Sequence, residues 1–171
     1  METNNIFDGA FDRIIEDEAW QRLSSSYPFS ADLLEQYKDR LDWHSVSGNS
    51  NICWTVTMLE KFKKLIDWRE LSDSSQESLF SAENLLKFKD SWDWSVISGR
   101  QDLSDDTISK VKDFIVWREF ISNYHNSERC TKEFYDKYKE YIPSALLKDS
   151  YFYSNMVDIK VKEMEQMLFR Q

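Results

Sequence analysis

A tryptophan returns along this chain at nearly constant spacing, and that spacing restricts the fold to a row of similar units. Trp43, Trp68, Trp94 and Trp117 stand 25, 26 and 23 residues apart; the first three follow Asp42, Asp67 and Asp93, and the fourth follows Val116. A period within roughly 20–50 residues marks small supersecondary units that bury their apolar faces against each other.

The residues between tryptophans keep a common register. A hydroxyl residue opens each unit: Ser30, Thr55, Ser81, Ser104 and Thr131. Before it stand Phe29, Trp54, Phe80, Leu103 and Cys130, and four residues after it Leu34, Leu59, Leu85, Ile108 and Tyr135. A hydroxyl at an N-cap accepts a backbone N–H that has no partner in the helix, worth about 1 kcal/mol. The flanking apolar pair forms a hydrophobic staple. Thr57 and Glu60 offer the second helix an alternative start as a capping box. Tyr37, Phe62, Phe88, Val111 and Tyr138 follow at the seventh position after the hydroxyl, and Leu41, Ile66, Trp92, Ile115 and Ile142 at the eleventh. Such offsets lie on one helical face and predict a first helix of about three turns.

The aspartate then serves as N-cap of a second, shorter helix with tryptophan in its first position. Val46, Leu71, Ile97 and Phe120 come three residues later, followed by Ser47, Ser72 and Ser98, and in the fourth case, one place on, by Ser122. Gly48 and Gly99 fall just past two of these helices, where a left-handed C-terminal cap is expected. The run 52–57 is β-branched and aromatic, but the register reads it as a cap and first turn.

The expected fold is therefore all-α: a short α-solenoid of about five ~25-residue helix–turn–short-helix repeats with atypical terminal units. It forms one domain over 1–171, with a degenerate unit at 1–27, repeats at 28–51, 52–77, 78–101, 102–126 and 127–150, and a capping helix at 151–171. In the first of these, Trp20 to Ser24 copies the Trp-x-x-apolar-Ser element. In the fifth repeat Pro143 and Ser144 replace the Asp-Trp corner, and a short helix is expected over 144–149. Ser154, after Tyr151, Phe152 and Tyr153, is expected to cap a last helix bearing Met156, Val157, Met164, Met167 and Leu168. The recurring tryptophans, with Trp54 and Trp92, are expected in the core, so that Trp68→Ala costs on the order of 3–5 kcal/mol.

Hydrophobic residues make up 41% of the chain and aromatics 15%, enough for a sizeable core. No apolar run approaches the roughly 18 residues of a membrane span, and the opening Met-Glu-Thr-Asn-Asn lacks the features of a signal peptide. Cys53 and Cys130 fit small buried apolar positions in a protein of the reducing cytoplasm. A net charge of −9 argues against a broad nucleic-acid surface, which needs a basic footprint. Acids gather within residues 1–23 and in the loops (Asp73, Glu77, Asp102, Asp105, Asp106), while lysines occupy the longer helices. Helix dipoles account for much of this, and the acidic edge would attract a basic protein.

Catalytic constellations are scarce. His44 and His125 are the only histidines and stand far apart. No metal-ligand spacing, nucleophile elbow or phosphate-cradling glycine loop occurs, and Glu16, Asp17 and Glu18 read as a solvated helix face. The expectation is a protein without enzymatic activity, cofactor, metal or membrane partner, with no binding residue assigned.

The string carried by Leu41-Asp42-Trp43, Ile66-Asp67-Trp68-Arg69-Glu70-Leu71-Ser72 and residues 80–98 resembles the tryptophan-rich helical repeats of certain Bacteroidetes and large-DNA-virus proteins. The likeness covers roughly residues 29–125 and implies a structural repeat. No chemistry is assigned to those repeats, so no functional residue follows from it. The expected function is a non-enzymatic protein-binding module, in its sharpest form an acidic inhibitor of immunity type facing a basic partner. The alternative is a structural or self-assembling repeat protein, which forms homo-oligomers.

Overall fold

The computed structural model describes residues 3–129 and 131–169, and its regular structure there is entirely helical. The chain divides into two compact units, Met1–Phe80 and Ser81–Gln171. The first holds α1 (Thr3–Ser26), α2 (Ala31–Tyr37), α3 (Trp43–Gly48), α4 (Val56–Phe62), α5 (Trp68–Ser72) and a 3-10 turn over Glu77–Phe80. The second holds α6 (Ala82–Lys87), α7 (Trp94–Ser98), α8 (Asp105–Val111), α9 (Trp117–Ser122), α10 (Lys132–Tyr138) and α11 (Tyr151–Leu168), with 3-10 helices over Tyr124–Arg129 and Ser144–Asp149. Within the units α3 lies against both α1 and α5, α6 against α8, and α7 against α9.

The predicted caps form. Ser30, Thr55, Ser81, Ser104 and Thr131 each accept the backbone N–H three residues on. Asp42, Asp67 and Asp93 cap the second helices, whereas Val116 starts α9 with no side-chain bond. The structure uses Thr55, not Thr57, to start α4. Around these caps Leu34, Leu59, Leu85 and Ile108 are fully buried, as are Val46, Leu71, Ile97 and Phe120. In the fifth repeat Tyr135 is only half-buried and its neighbour Phe134 turns inward instead. Cys130, its predicted staple partner, lies outside the described residues.

The first helices are two turns long rather than three. The N–H groups of Arg40, Leu65, Phe114 and Tyr141 bond to carbonyls three residues back, at 2.8–2.9 Å, which tightens and ends each helix. The indole of the next tryptophan then donates to a carbonyl freed by that ending: Trp43 to Lys38 at 2.9 Å, Trp68 to Lys63 at 3.0 Å, Trp94 to Lys89 at 2.7 Å and Trp117 to Lys112 at 3.1 Å. Each tryptophan thus caps the C-terminal end of one helix while opening the next. That edge position leaves Trp43, Trp68 and Trp94 half-buried rather than in the core, whereas Trp117, Trp54 and Trp92 are buried. The rings pack across repeats: Trp20 on Tyr37, Trp43 on Phe62 and Trp117 on Tyr138, with centroids 5.0–5.3 Å apart. Trp94 stacks on Phe114 instead, since Val111 holds the aromatic register there.

The serine four residues after each tryptophan joins neighbouring repeats. Ser24, Ser47 and Ser98 are buried; each hydroxyl donates to the tryptophan carbonyl one turn back and accepts the backbone N–H that starts the next second helix. Asp42 donates to Ser24 at 3.0 Å, Asp67 to Ser47 at 2.9 Å and Val116 to Ser98 at 2.8 Å. A buried N–H is costly to leave unpaired, so a hydroxyl is required at that point. The fifth repeat obeys the same logic in reverse. Pro143 occupies the donor's register and has no N–H, and Ile121, fully buried, stands where the serine would be. Ser122, the shifted serine of the sequence pattern, is exposed.

Other details depart from expectation. The N-terminal segment, expected to hold a degenerate unit, is a single 24-residue helix whose last turns supply the Trp20–Ser24 element. The glycines end no helix in the left-handed region: no glycine has positive φ, and Gly99 is right-handed at φ −80°. Room explains Gly99 better, because a Cβ there would meet the Asn123 amide nitrogen at 3.2 Å, and that nitrogen donates to the Gly99 carbonyl at 2.8 Å. The short helix over 144–149 persists as a 3-10 helix. Ser150, not Ser154, caps α11, because its hydroxyl reaches the Tyr153 N–H at 3.2 Å. Cys53 is exposed instead of buried, since the staple turns its neighbours Ile52 and Trp54 inward.

Candidate interaction surface

Exposed apolar residues gather on the outward faces of α1 and α11. Along α1, every residue from Gly9 to Ala19 is exposed; Glu16 reaches Arg40, and burial against the rest of its unit starts at Trp20 and Ser24. Phe11, Ile14 and Ile15 are 64%, 66% and 53% exposed. Their spacing of three and four residues puts them on one stripe, opposite the Trp20–Ser24 face. Asp12 and Asp17 flank the stripe at roughly 100–120° on its two sides. Neither has an ion-pair partner among the described residues, whereas Glu18 pairs with Arg22 at 2.9 Å and Glu16 with Arg40. The stripe is apolar, with the unpaired Asp12 and Asp17 on its two sides, the exposed Arg13 between those acids on the far face, and the Glu18–Arg22 pair continuing its line.

On α11, Phe152 is buried against α10, where its ring meets Phe134 and Tyr135, and Asn155 donates to the Ser127 carbonyl at 2.8 Å. Met156 is half-buried, and from Val157 to Phe169 every side chain is exposed. Tyr153, Val157, Val161, Met164 and Leu168 lie on the face opposite Phe152. Tyr151 and Tyr153 are exposed while Phe152 between them is core, as the helical turn dictates.

Beneath α1, Trp20, Leu23, Tyr27, Phe29, Leu33 and Tyr37 line an open cleft of about 250 Å³. The Arg40 guanidinium stands 5.3 Å from the Trp20 ring centroid. The Trp20 and Tyr37 rings occupy each other's faces, so the cleft is the open side of an ordinary repeat contact.

The polar residues singled out in the sequence form no reactive group. His44 is exposed, with Nδ1 3.0 Å from Asp67 Oδ2 and 4.0 Å from Glu70 Oε1. The hydrogen bond to Asp67, and then the Glu70 charge, raise the His44 pKa above its ordinary value; the same bond lowers that of Asp67. His125 stands in the 3-10 helix beside Tyr124. Glu16 and Glu18 are drawn to different arginines, so the acidic triplet makes no site. Of the loop acids, Asp102 is held by Arg100 through Nε at 2.9 Å and Nη2 at 2.5 Å, and Asp105 lies 3.9 Å from Arg129. Among the described residues no three His, Cys, Asp or Glu side chains gather as metal ligands would, and no helix is long and apolar enough to cross a membrane. Asp106 pairs with Lys110 at 2.7 Å, so the acidic edge expected from the loops is partly neutralised, and among the described residues Asp73 and Glu77 remain unpaired there as Asp12 and Asp17 do on α1. The 11/14/15 stripe could have been found from its helical spacing, but repeat register directs attention elsewhere.

Comparison with known proteins finds no family model, curated relative or solved structure that matches this chain.

Proposed function

We propose that this protein is a non-enzymatic protein-binding module, a short α-solenoid that presents α1 to a basic, amphipathic helix of a partner. One observation carries the reading: the exposed stripe of Phe11, Ile14 and Ile15 lies between two unpaired acids, Asp12 and Asp17. A partner helix would lay its apolar face on that stripe and its lysines or arginines beside those acids. Apolar contact supplies most of the affinity, and charge supplies the steering and the choice of partner. An acidic inhibitor of a basic protein is the sharpest form of this reading. The repeated clasps within each unit support kinship with the tryptophan-rich repeats, and the exposed Cys53 thiol suits a reducing cytoplasm.

The test is affinity capture from the native cells with the full chain and with Ile14→Asp, followed by mass spectrometry. The expected result is a stoichiometric basic partner held by the wild type, released by raised salt, and lost with the variant. A partner captured equally by both chains, or no partner at all, would overturn the assignment to α1.

A further inference from the structure

We infer that α11 is a self-association helix that pairs in parallel with α11 of a second copy. The inference is independent of the role given to α1, because it rests on a different helix in the other unit.

The stretch of α11 beyond Met156 has no buried side chain. An isolated helix of about that length is marginal in water, and here only the first turns of α11 are anchored to its unit, so a partner along the rest would add to its stability. Its outward stripe is a two-heptad seam. Val161 and Leu168 fall at one core position of the heptad and Val157 and Met164 at the other. Exposures of 41–71% at these four residues leave on the order of 300 Å² of apolar surface per copy, before Tyr153 and Met167 beside them are added.

The charges at the seam edges select the occupant and its direction. Asp158 and Glu165 border one side, and Tyr153, Lys160 and Met167 border the other. In a parallel pair each edge meets the opposite edge of the partner five residues on, so Lys160, which within its own helix holds an exposed pair with Glu163 at 3.0 Å, faces Glu165 of the second copy, and Tyr153 faces Asp158. In an antiparallel pair like edges meet, and the acids Asp158 and Glu165 would face each other. The helix is thus charge-complementary to itself in one orientation only. A basic partner helix, as suits α1, would set its positive charge against Lys160. Sterics agree: Phe152 and Asn155 tie α11 to its own unit on the face opposite the seam, which leaves the seam open to a second copy. Two heptads make a short interface, so dimers form in the micromolar to millimolar range rather than at nanomolar concentration.

Sedimentation equilibrium on the full chain tests association, and disulfide trapping tests direction. The wild type is expected to move from monomer toward twice the monomer mass as concentration rises, and Val161→Asp to remain monomeric with unchanged helix content. Oxidation of M164C is expected to give a disulfide between two copies at that position, assigned by mass spectrometry so that it is distinguished from bonds through Cys53 or Cys130. A linked product found only on mixing V157C with L168C would overturn the parallel orientation. A wild type that stays monomeric throughout, or association that Val161→Asp leaves unchanged, would overturn the seam itself. Neither result bears on the partner of α1.

Discussion

Removing the Ser98 hydroxyl should destabilise the second unit far more than its size suggests. The side chain is fully buried, donates to the Trp94 carbonyl and accepts the Val116 N–H at 2.8 Å. Ser98→Ala deletes both bonds and leaves the Val116 donor without its acceptor. A stranded donor costs about 1–3 kcal/mol, and for a chain of this length each kcal/mol moves the melting temperature by about 3 °C. The expected fall is therefore about 3–9 °C in a thermal melt followed by circular dichroism or calorimetry. Ser47→Ala, which strands the Asp67 N–H, should behave alike in the first unit. Ser122→Ala serves as control: the residue is exposed, and its loss should stay within about 0.5 kcal/mol. The converse change, Ile121→Ser, gains no donor from Pro143 and truncates a fully buried side chain, and should cost about 2–5 kcal/mol. If Ser98→Ala and Ser47→Ala both melted with the Ser122→Ala control, the hydroxyls would not be joining the repeats.

Three further outcomes are expected. Trp117→Ala, at a buried ring with four aromatic neighbours, should cost about 3–5 kcal/mol, and Trp68→Ala, at a half-buried one, about 2 kcal/mol; urea denaturation of the two variants compares them. Arg100→Lys should recover little of what Arg100→Ala loses, about 1.5–3 kcal/mol in the same assay, because an ammonium cannot make the two-pronged contact with Asp102. Because its pKa is raised in the fold, protonated His44 stabilises the protein below its ordinary pKa of about 6.5, and that contribution disappears as pH rises through the raised value. The Asp67 pKa is lowered, so its contribution holds above about 3.9 and is lost as pH falls below that. An NMR titration of the His44 ring should show the elevated midpoint, and Asp67→Asn should return it toward the ordinary value.

Local rules written in the sequence determined much of the fold. Hydroxyl and aspartate caps, the staple partners of the first four repeats and the buried positions three residues after each recurring tryptophan follow from backbone donors near in sequence and from helical period, and these formed where the register put them, whereas in the fifth repeat Phe134 replaced Tyr135. Even the exchange of serine for Ile121 opposite Pro143 is visible in the string once the bond it replaces is known. Tertiary structure alone decided what depends on partners about twenty residues away. In the sequence the serines only recur; the fold sets the N–H that starts the next second helix upon Ser24, Ser47 and Ser98. The tryptophans read as core because period measures recurrence, not depth, and their indoles stay at helix ends to satisfy carbonyls. The outward stripes of α1 and α11 acquire meaning only when the opposite faces are seen to be occupied, because exposure is a property of packed neighbours and not of the residues that carry it.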